Sequence, residues 1–222
     1  KYSLMKLNIS FSSFKKNHKL KKDQLIYKVK SCKDYRQVEN IFNFLLVEKN
    51  SFIFESVEKG TVRGRYTILG LKPDKIWDIY KNIITEKFDG KKKILKQKPL
   101  NFLNNLINNF NSKVPDGVPK MAAMLVGYFS YDVIRYVEKI PDECIDDLGV
   151  PDVRLSRPKN LIIYDNLKKK IYFIENIYAE TKIRNYFEKY QSVIRNFEIF
   201  EDYSNIKLPI KFNHQKNKNK IK

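Results

Sequence analysis

Residues Ser51 to Asp74 read SFIFESVEKGTVRGRYTILGLKPD. Side chains of an extended segment alternate, so Phe52, Phe54 and Ser56 share one face and Ile53, Glu55 and Val57 the other. Both faces are largely apolar, which predicts a strand buried on both sides. Lys59-Gly60 breaks it. Arg63-Gly64-Arg65 then puts two planar cations on a bend where Gly64 admits close approach to the backbone. A second strand follows. A hydroxyl, a carboxylate and two guanidiniums at the mouth of an apolar sheet form a candidate pocket for a small zwitterion with a hydrophobic body. Taken alone, the same residues also fit an ordinary hairpin end with solvated charges.

The flanking chain supplies the rest of the fold. LIYKVK at Leu25 to Lys30 alternates as a short strand. Ser31 and Asp34 resemble a capping box for a helix running to about Lys49, with Tyr35, Val38, Ile41, Phe42, Leu45 and Leu46 as its core stripe. Lys75 to Tyr80 alternates again. Asn82 to Phe88 pairs with Lys91 to Leu95 across Asp89-Gly90, a two-residue hairpin signal. Pro99 opens a helix to Asn111, with Leu103, Leu106, Ile107 and Phe110 inward. Met121 to Tyr128 is a continuous apolar strand, and Asp132 to Lys139 a short helix with Val133, Ile134 and Val137 inward. Pro141 to Pro158 is an acidic loop. Asn160 to Asp165 and Lys170 to Asn176 form a hairpin. Glu180 to Phe197 is an amphipathic helix with Ile183, Tyr186, Phe187, Tyr190 and Ile194 on its face. Paired strands between helices predict an α+β fold, mainly antiparallel β-sheets in a sandwich-like arrangement flanked by helices.

The 222 residues suffice to bury a core, and 42% are hydrophobic. No run approaches the ~20 apolar residues that span a bilayer, and the start lacks a signal-peptide pattern. Met5-Lys6-Leu7 resembles a natural start. Cys32 and Cys144, distant in sequence and without metal-ligand spacing, fit reduced thiols and a cytoplasmic location. The formal charge is +19. Lysine outnumbers arginine about four to one, and the lysines load the two ends, 15–22 and 207–222. That pattern fits solvated tails better than a nucleic-acid surface, which draws on arginine clusters.

No catalytic or metal-binding set stands out. His18 and His214 lie in weakly patterned ends and are expected to be solvated. Asp142, Glu143, Asp146 and Asp147 could ligate a divalent cation, but a solvated acidic loop is the simpler reading. Tyr128, Tyr131 and Tyr136 near Arg135 fit core packing better than a site.

Several motifs in order carry a resemblance. Phe54-Glu55-Ser56, Arg63-Gly64-Arg65-Tyr66-Thr67 and Gly70-Leu71-Lys72-Pro73, then Met121 to Asp132 with Arg135 and Glu138, then Asp147 to Asp152, resemble the N-terminal portion of the anthranilate synthase component I family. The resemblance spans roughly Asp23 to Tyr178. It implies an enzyme that turns chorismate and ammonia into anthranilate and pyruvate in tryptophan biosynthesis, with magnesium held by glutamates of a C-terminal domain. It also implies a glutamine amidotransferase partner and feedback inhibition by tryptophan. Carried over by position, the tryptophan site would take Glu55, Ser56, Arg63, Gly64, Arg65 and Tyr66. The family has leucines where this chain has Phe52, Ile53 and Phe54, and a serine where it has Thr67. The expected layout is a basic extension over 1–22, the regulatory domain over 23–200, and a Lys/Asn-rich tail or linker over 201–222 before a missing catalytic domain. Such a chain would be inactive alone. Rival readings are a paralogous aminodeoxychorismate or isochorismate synthase, and a stand-alone amino-acid-binding module without catalysis. No nucleic acid or membrane is expected as partner.

Overall fold

The computed structural model describes residues 7–55, 64–110, 112–141 and 146–206. In chain order the elements are α1 (Phe11–Lys19), β1 (Gln24–Ser31), α2 (Tyr35–Leu45), β2 (Phe52–Glu55), β3 (Tyr66–Tyr80), β4 (Ile83–Phe88), β5 (Lys91–Leu95), α3 (Pro99–Asn109), β6 (Val126–Phe129), β7 (Val153–Asp165), β8 (Lys170–Ile177) and α4 (Tyr186–Asn205). Two 3-10 turns, Lys120–Ala122 and Tyr131–Tyr136, flank β6. The fold is α+β with antiparallel strands flanked by helices, and the described strands form one eight-stranded sheet.

Its spine is the long antiparallel ribbon of β3 and β7, paired from Tyr66↔Asp165 to Ile79↔Val153. The register shifts between Pro73 and Lys75, beside Lys72 at φ 49°. A bulge of this kind bends and twists a ribbon. The two long strands therefore carry different neighbours above and below it. At Thr67 to Gly70, β3 pairs with β2, while the facing part of β7 pairs with β8, which in turn pairs with β1. Beyond the bulge, β3 pairs with β4 and β5 continues the sheet, while β7 pairs with β6. Asp89 (φ 50°) and Gly90 (φ 72°) close the β4–β5 hairpin in the left-handed conformation that such a turn needs.

One face of the sheet is covered by α1, α2 and α4. Phe14, Val38, Ile41, Phe42, Leu45, Phe197 and Phe200 pack onto Ile26, Leu69, Leu71, Ile162, Tyr164 and Phe173. Each fully buried aromatic or aliphatic side chain here contributes about 1.5–3 kcal/mol of transfer free energy. A second cluster joins Ile68, Leu161, Ile163, Tyr172 and Ile174 to Val118 and Ala122. A third, below the bulge, packs Trp77, Ile79, Ile84, Val153 and Leu155 against Phe102 and Leu103 of α3.

Several expectations change. β2 is an edge strand rather than one buried on both sides, and Phe54 is 47% exposed. Its single described neighbour is β3, so no described strand covers its other flank. The Asp34 side chain, not a Ser31–Asp34 box, caps α2 by accepting the Arg36 N–H, and α2 stops at Leu45. Of the expected strand at Met121 to Tyr128 only the end from Val126 pairs, as β6 (Val126–Phe129), and it lies at an edge of the described sheet with Phe129 exposed. In α3 the inward aromatic is Phe102, while Ile107 is exposed. Val137 is likewise exposed. The last helix starts at Tyr186, where the Asn185 side chain caps the Phe187 and Glu188 N–H groups, and it continues to Asn205. Its buried residues are Val193, Phe197, Phe200 and Ser204, whereas Phe187 is exposed. The basic N-terminal stretch also folds from Leu7 onward, since α1 buries Phe14 completely. His18 is 6% exposed rather than solvated, held between the Tyr186 hydroxyl (3.1 Å) and the Thr181 carbonyl (2.9 Å). The Lys/Asn-rich stretch 207–222, with His214, lies outside the described residues, and α4 crosses the expected boundary at residue 200.

Candidate functional site

The turn between β2 and β3 is described only at its margins. Ser56 and Arg63 lie outside the described residues; Glu55, Gly64, Arg65 and Tyr66 lie inside. Glu55 ends β2 opposite Thr67. Directly paired residues share a face and neighbours alternate, so Glu55 and Thr67 sit on the α2 side and Tyr66 on the other. The Tyr35 hydroxyl of α2 donates to Glu55 Oε1 at 2.5 Å, and the Tyr35 ring packs 5.4 Å from that of Tyr164. Burial, then the carboxylate of Glu55, pushes the Tyr35 phenol up to about 12. Gly64 adopts φ 84°, a conformation glycine takes without steric cost.

Arg65 is not a free fork. Its Nε and Nη2 donate to Asp165 Oδ1 (3.1 Å) and Oδ2 (2.8 Å), and its guanidinium lies 4.7 Å from the Tyr66 ring centroid. Asp165 is 1% exposed and also accepts the Leu167 and Lys168 N–H groups. Burial pushes its carboxyl up, but the Arg65 and backbone hydrogen bonds outweigh that and hold it below the ordinary range. The Arg65 carbonyl accepts the Asn166 N–H at 2.8 Å. The cation thus welds the start of β3 to the β7–β8 turn. Beside it, Phe52 and Tyr66 pack on the Ile68 cluster, and Phe54 is tilted against Phe52 with ring centroids 5.1 Å apart. The structure therefore joins Arg65 to Tyr66 and separates both from Glu55. Tyr35 and Asp165 were invisible as site residues in the sequence. Each meets its partner only after 20 or 100 residues of intervening chain fold back.

A second polar cluster sits at the bulge. Arg157 binds Asp74 through Nε–Oδ1 (2.8 Å) and Nη2–Oδ2 (2.5 Å), reaches Glu180 at 2.6 Å and stacks 3.7 Å from the Tyr178 ring centroid. Lys75 bridges Glu180 (2.7 Å) and Glu86 (3.5 Å), and Trp77 Nε1 donates to Glu86. The partners are mutually satisfied, so this network holds the bend rather than offering a free group.

The acidic loop makes internal ties. Asp146 accepts from the Tyr80 hydroxyl (2.6 Å) and the Gly149 N–H (2.9 Å), Asp147 is exposed, and Asp142 and Glu143 lie outside the described residues. Arg135 binds Asp132 and the carbonyls of Ile140 and Pro141, and Tyr136 donates to Asp152. Tyr131 is 84% exposed, so it is not core. Among the described residues no three His, Cys, Asp or Glu side chains gather to hold a metal ion. Cys32 is a buried free thiol whose pKa burial raises; Cys144 lies outside the described residues. No described helix is long and apolar enough to cross a membrane.

No protein-family profile matches the chain. Among curated proteins, it is 34% identical over 167 residues to anthranilate synthase component 1 of Cereibacter sphaeroides, covering 73% of this chain and 33% of that protein. It is 33% identical over 134 residues to anthranilate synthase component 1 of Acetivibrio thermocellus, covering 60% of this chain and 27% of the relative. Among solved structures, anthranilate synthase component I from Streptococcus pneumoniae superposes with a TM-score of 0.51 over 76% of this chain and 34% of the other, at 23% identity. That likeness shows a shared fold. The chain spans about a third of the length of the relatives it matches.

Proposed function

Over the residues it shares, this chain belongs to the anthranilate synthase component I family, and from that we propose that it is the N-terminal, regulatory part of such a large subunit. The observation that supports this most is 34% identity sustained over 167 residues that amount to only a third of the relative. In this reading the whole protein converts chorismate and ammonia, delivered from glutamine by an amidotransferase subunit, to anthranilate and pyruvate. Magnesium and the groups that move protons would come from the remaining two thirds of the protein, since the described residues here offer no ligand cluster.

Feedback tryptophan would sit at the β2–β3 turn. Ser56 would face its polar end, Gly64 and the Arg63 to Tyr66 backbone would approach its carboxylate, and Phe54 and Tyr66 would supply apolar wall, while Glu55, on the opposite face and bound by Tyr35, would act through the placement of the turn. Arg65 would act mainly by positioning that turn, because its guanidinium is already bound to Asp165. The test is an assay of the full-length protein with chorismate, magnesium, and glutamine or ammonium ions. Anthranilate fluorescence that falls on adding tryptophan is the expected result. Formation of aminodeoxychorismate or isochorismate, or insensitivity to tryptophan, would overturn the respective half of the reading.

A further inference from the structure

A cleft of about 350 Å³ opens at the bulge, between Pro73 to Ile76 of β3, the β4–β5 turn, Lys159 of β7 and Thr181-Lys182. It shares no residue with the β2–β3 turn. We propose that this cleft binds a small oxyanion, a carboxylate or a phosphate carried on a short apolar body, with Lys159 as its charge partner.

Two charges in the wall already have partners. Asp74 is held by both arms of Arg157, and Lys87 is bound to Asp78 at 2.7 Å. Lys159 is half-buried and has no hydrogen-bond or ion-pair partner among the described residues. A partly buried ammonium without a partner is unfavourable and attracts an anion. Its surroundings agree. Burial lowers its pKa most; Lys189 lowers it further, Glu175 and Asp74 act in the opposite sense, and Lys72 adds to the lowering. These two acids do not offset the cost of burying the cation, whereas a bound oxyanion would.

Geometry sets the ligand class. Lys182, exposed at the rim, adds a second cation, and Asp89 is the one acid in the lining besides the committed Asp74. Pro73, Ile76 and Phe88 give an apolar wall. The volume lies at the lower end of the range usual for small-molecule sites. Charge excess with an apolar wall favours an anion that carries a short hydrophobic body over a bare divalent cation.

The experiment titrates the 222-residue chain with inorganic phosphate and, separately, with benzoate, by calorimetry. In parallel, acetylation of individual lysines by an active ester is followed by mass spectrometry with and without ligand. We expect saturation by at least one anion in the millimolar range. Lys159 acetylation should slow several-fold, while that of Lys168, on the exposed β7–β8 turn, should not. Saturation by phosphate alone identifies a phosphate-type ligand, and by benzoate a carboxylate with an apolar body. Lys159→Met should weaken binding about tenfold or more, and Lys159→Arg should keep it within about threefold. No saturation by either anion, no protection of Lys159, or equal weakening by Lys168→Met overturns the proposal. The protection result decides it even where Lys159→Met fails to fold.

Discussion

Asp165 is almost inaccessible to water, yet its carboxyl stays more acidic than usual because Arg65 and two backbone N–H groups surround it. A carboxylate with a lowered folded pKa stabilises the fold above its unfolded pKa of about 3.9. That contribution is lost as pH falls through the lower, folded value. We therefore expect Asp165→Asn to lower the melting temperature at neutral pH, and the gap to the parent to narrow as pH drops below about 4. Melting curves across the acid range check this, and a gap independent of pH would remove Asp165 from that role. Ser56 carries a functional prediction. If it helps to hold tryptophan, Ser56→Phe in the full-length enzyme removes one hydrogen bond to a charged group, worth about 1.5–3 kcal/mol. Inhibition should weaken roughly ten- to a hundredfold or more, with uninhibited turnover little changed. A tryptophan inhibition constant that does not move in a well-folded variant would take Ser56 out of the site.

Elements are joined by contacts of two kinds. Glu175 of β8 is 0% exposed and accepts from Lys189 Nζ of α4 and from Asn160 and Asn196. Removing the cation strands a buried carboxylate, so Lys189→Met should cost about 3 kcal/mol, at the lower end for broken buried pairs because the amides remain. For a chain of this size that is roughly 6–12 °C in melting temperature. Adding Glu175→Gln, which removes the charge and keeps an acceptor oxygen, should recover part of the loss. The other contact is steric. A Cβ on Gly127 would lie 1.8 Å from the Arg154 carbonyl oxygen of β7, closer than atoms can approach. Gly127→Ala should therefore push β6 off β7, at about 1–3 kcal/mol. Faster amide exchange at Val126 to Phe129 is the expected signature; parent-like exchange and stability would show that the ribbon absorbs the clash.

The whole molecule exposes apolar groups along its edge strands and loops, among them Phe54, Phe129, Tyr131, Leu148 and Val150. Where such side chains gather, they mark surfaces that other protein covers. We expect the chain alone to self-associate at micromolar concentration in sedimentation experiments, and a clean monomer with a sharp thermal transition would count against it. We also expect it to make no anthranilate from chorismate, magnesium and ammonium ions, since its described residues gather no metal-binding cluster. Turnover above the enzyme-free control would refute that. The +19 charge does not change the expected partners. Binding to DNA with a steep salt dependence at physiological ionic strength would argue for the nucleic-acid surface set aside above.

The amino-acid sequence by itself determined what rests on local chemistry. The β4–β5 hairpin follows from Asp89-Gly90, the start of α3 from Pro99, the strand at Gln24–Ser31 from alternation, and the β7–β8 hairpin from two strand-like runs on either side of Asn166. The motifs from Glu55 to Pro73 pointed to the family. Alternation, however, says which residues share a face and not what lies beyond the strand's edge. For that reason β2 and β6 read as buried strands and prove to be edges. Tertiary structure alone decided that β3 runs unbroken past Pro73, because β7 pairs on both sides of the bulge. It decided that His18 and α1 belong to the core, because α4 closes over them from nearly 170 residues away. It also decided that Arg65 is bound to Asp165 while Lys159 has no partner among the described residues. An ion pair stabilises by proximity in space, and a one-dimensional pattern carries no record of which charges meet when the β3–β7 ribbon forms.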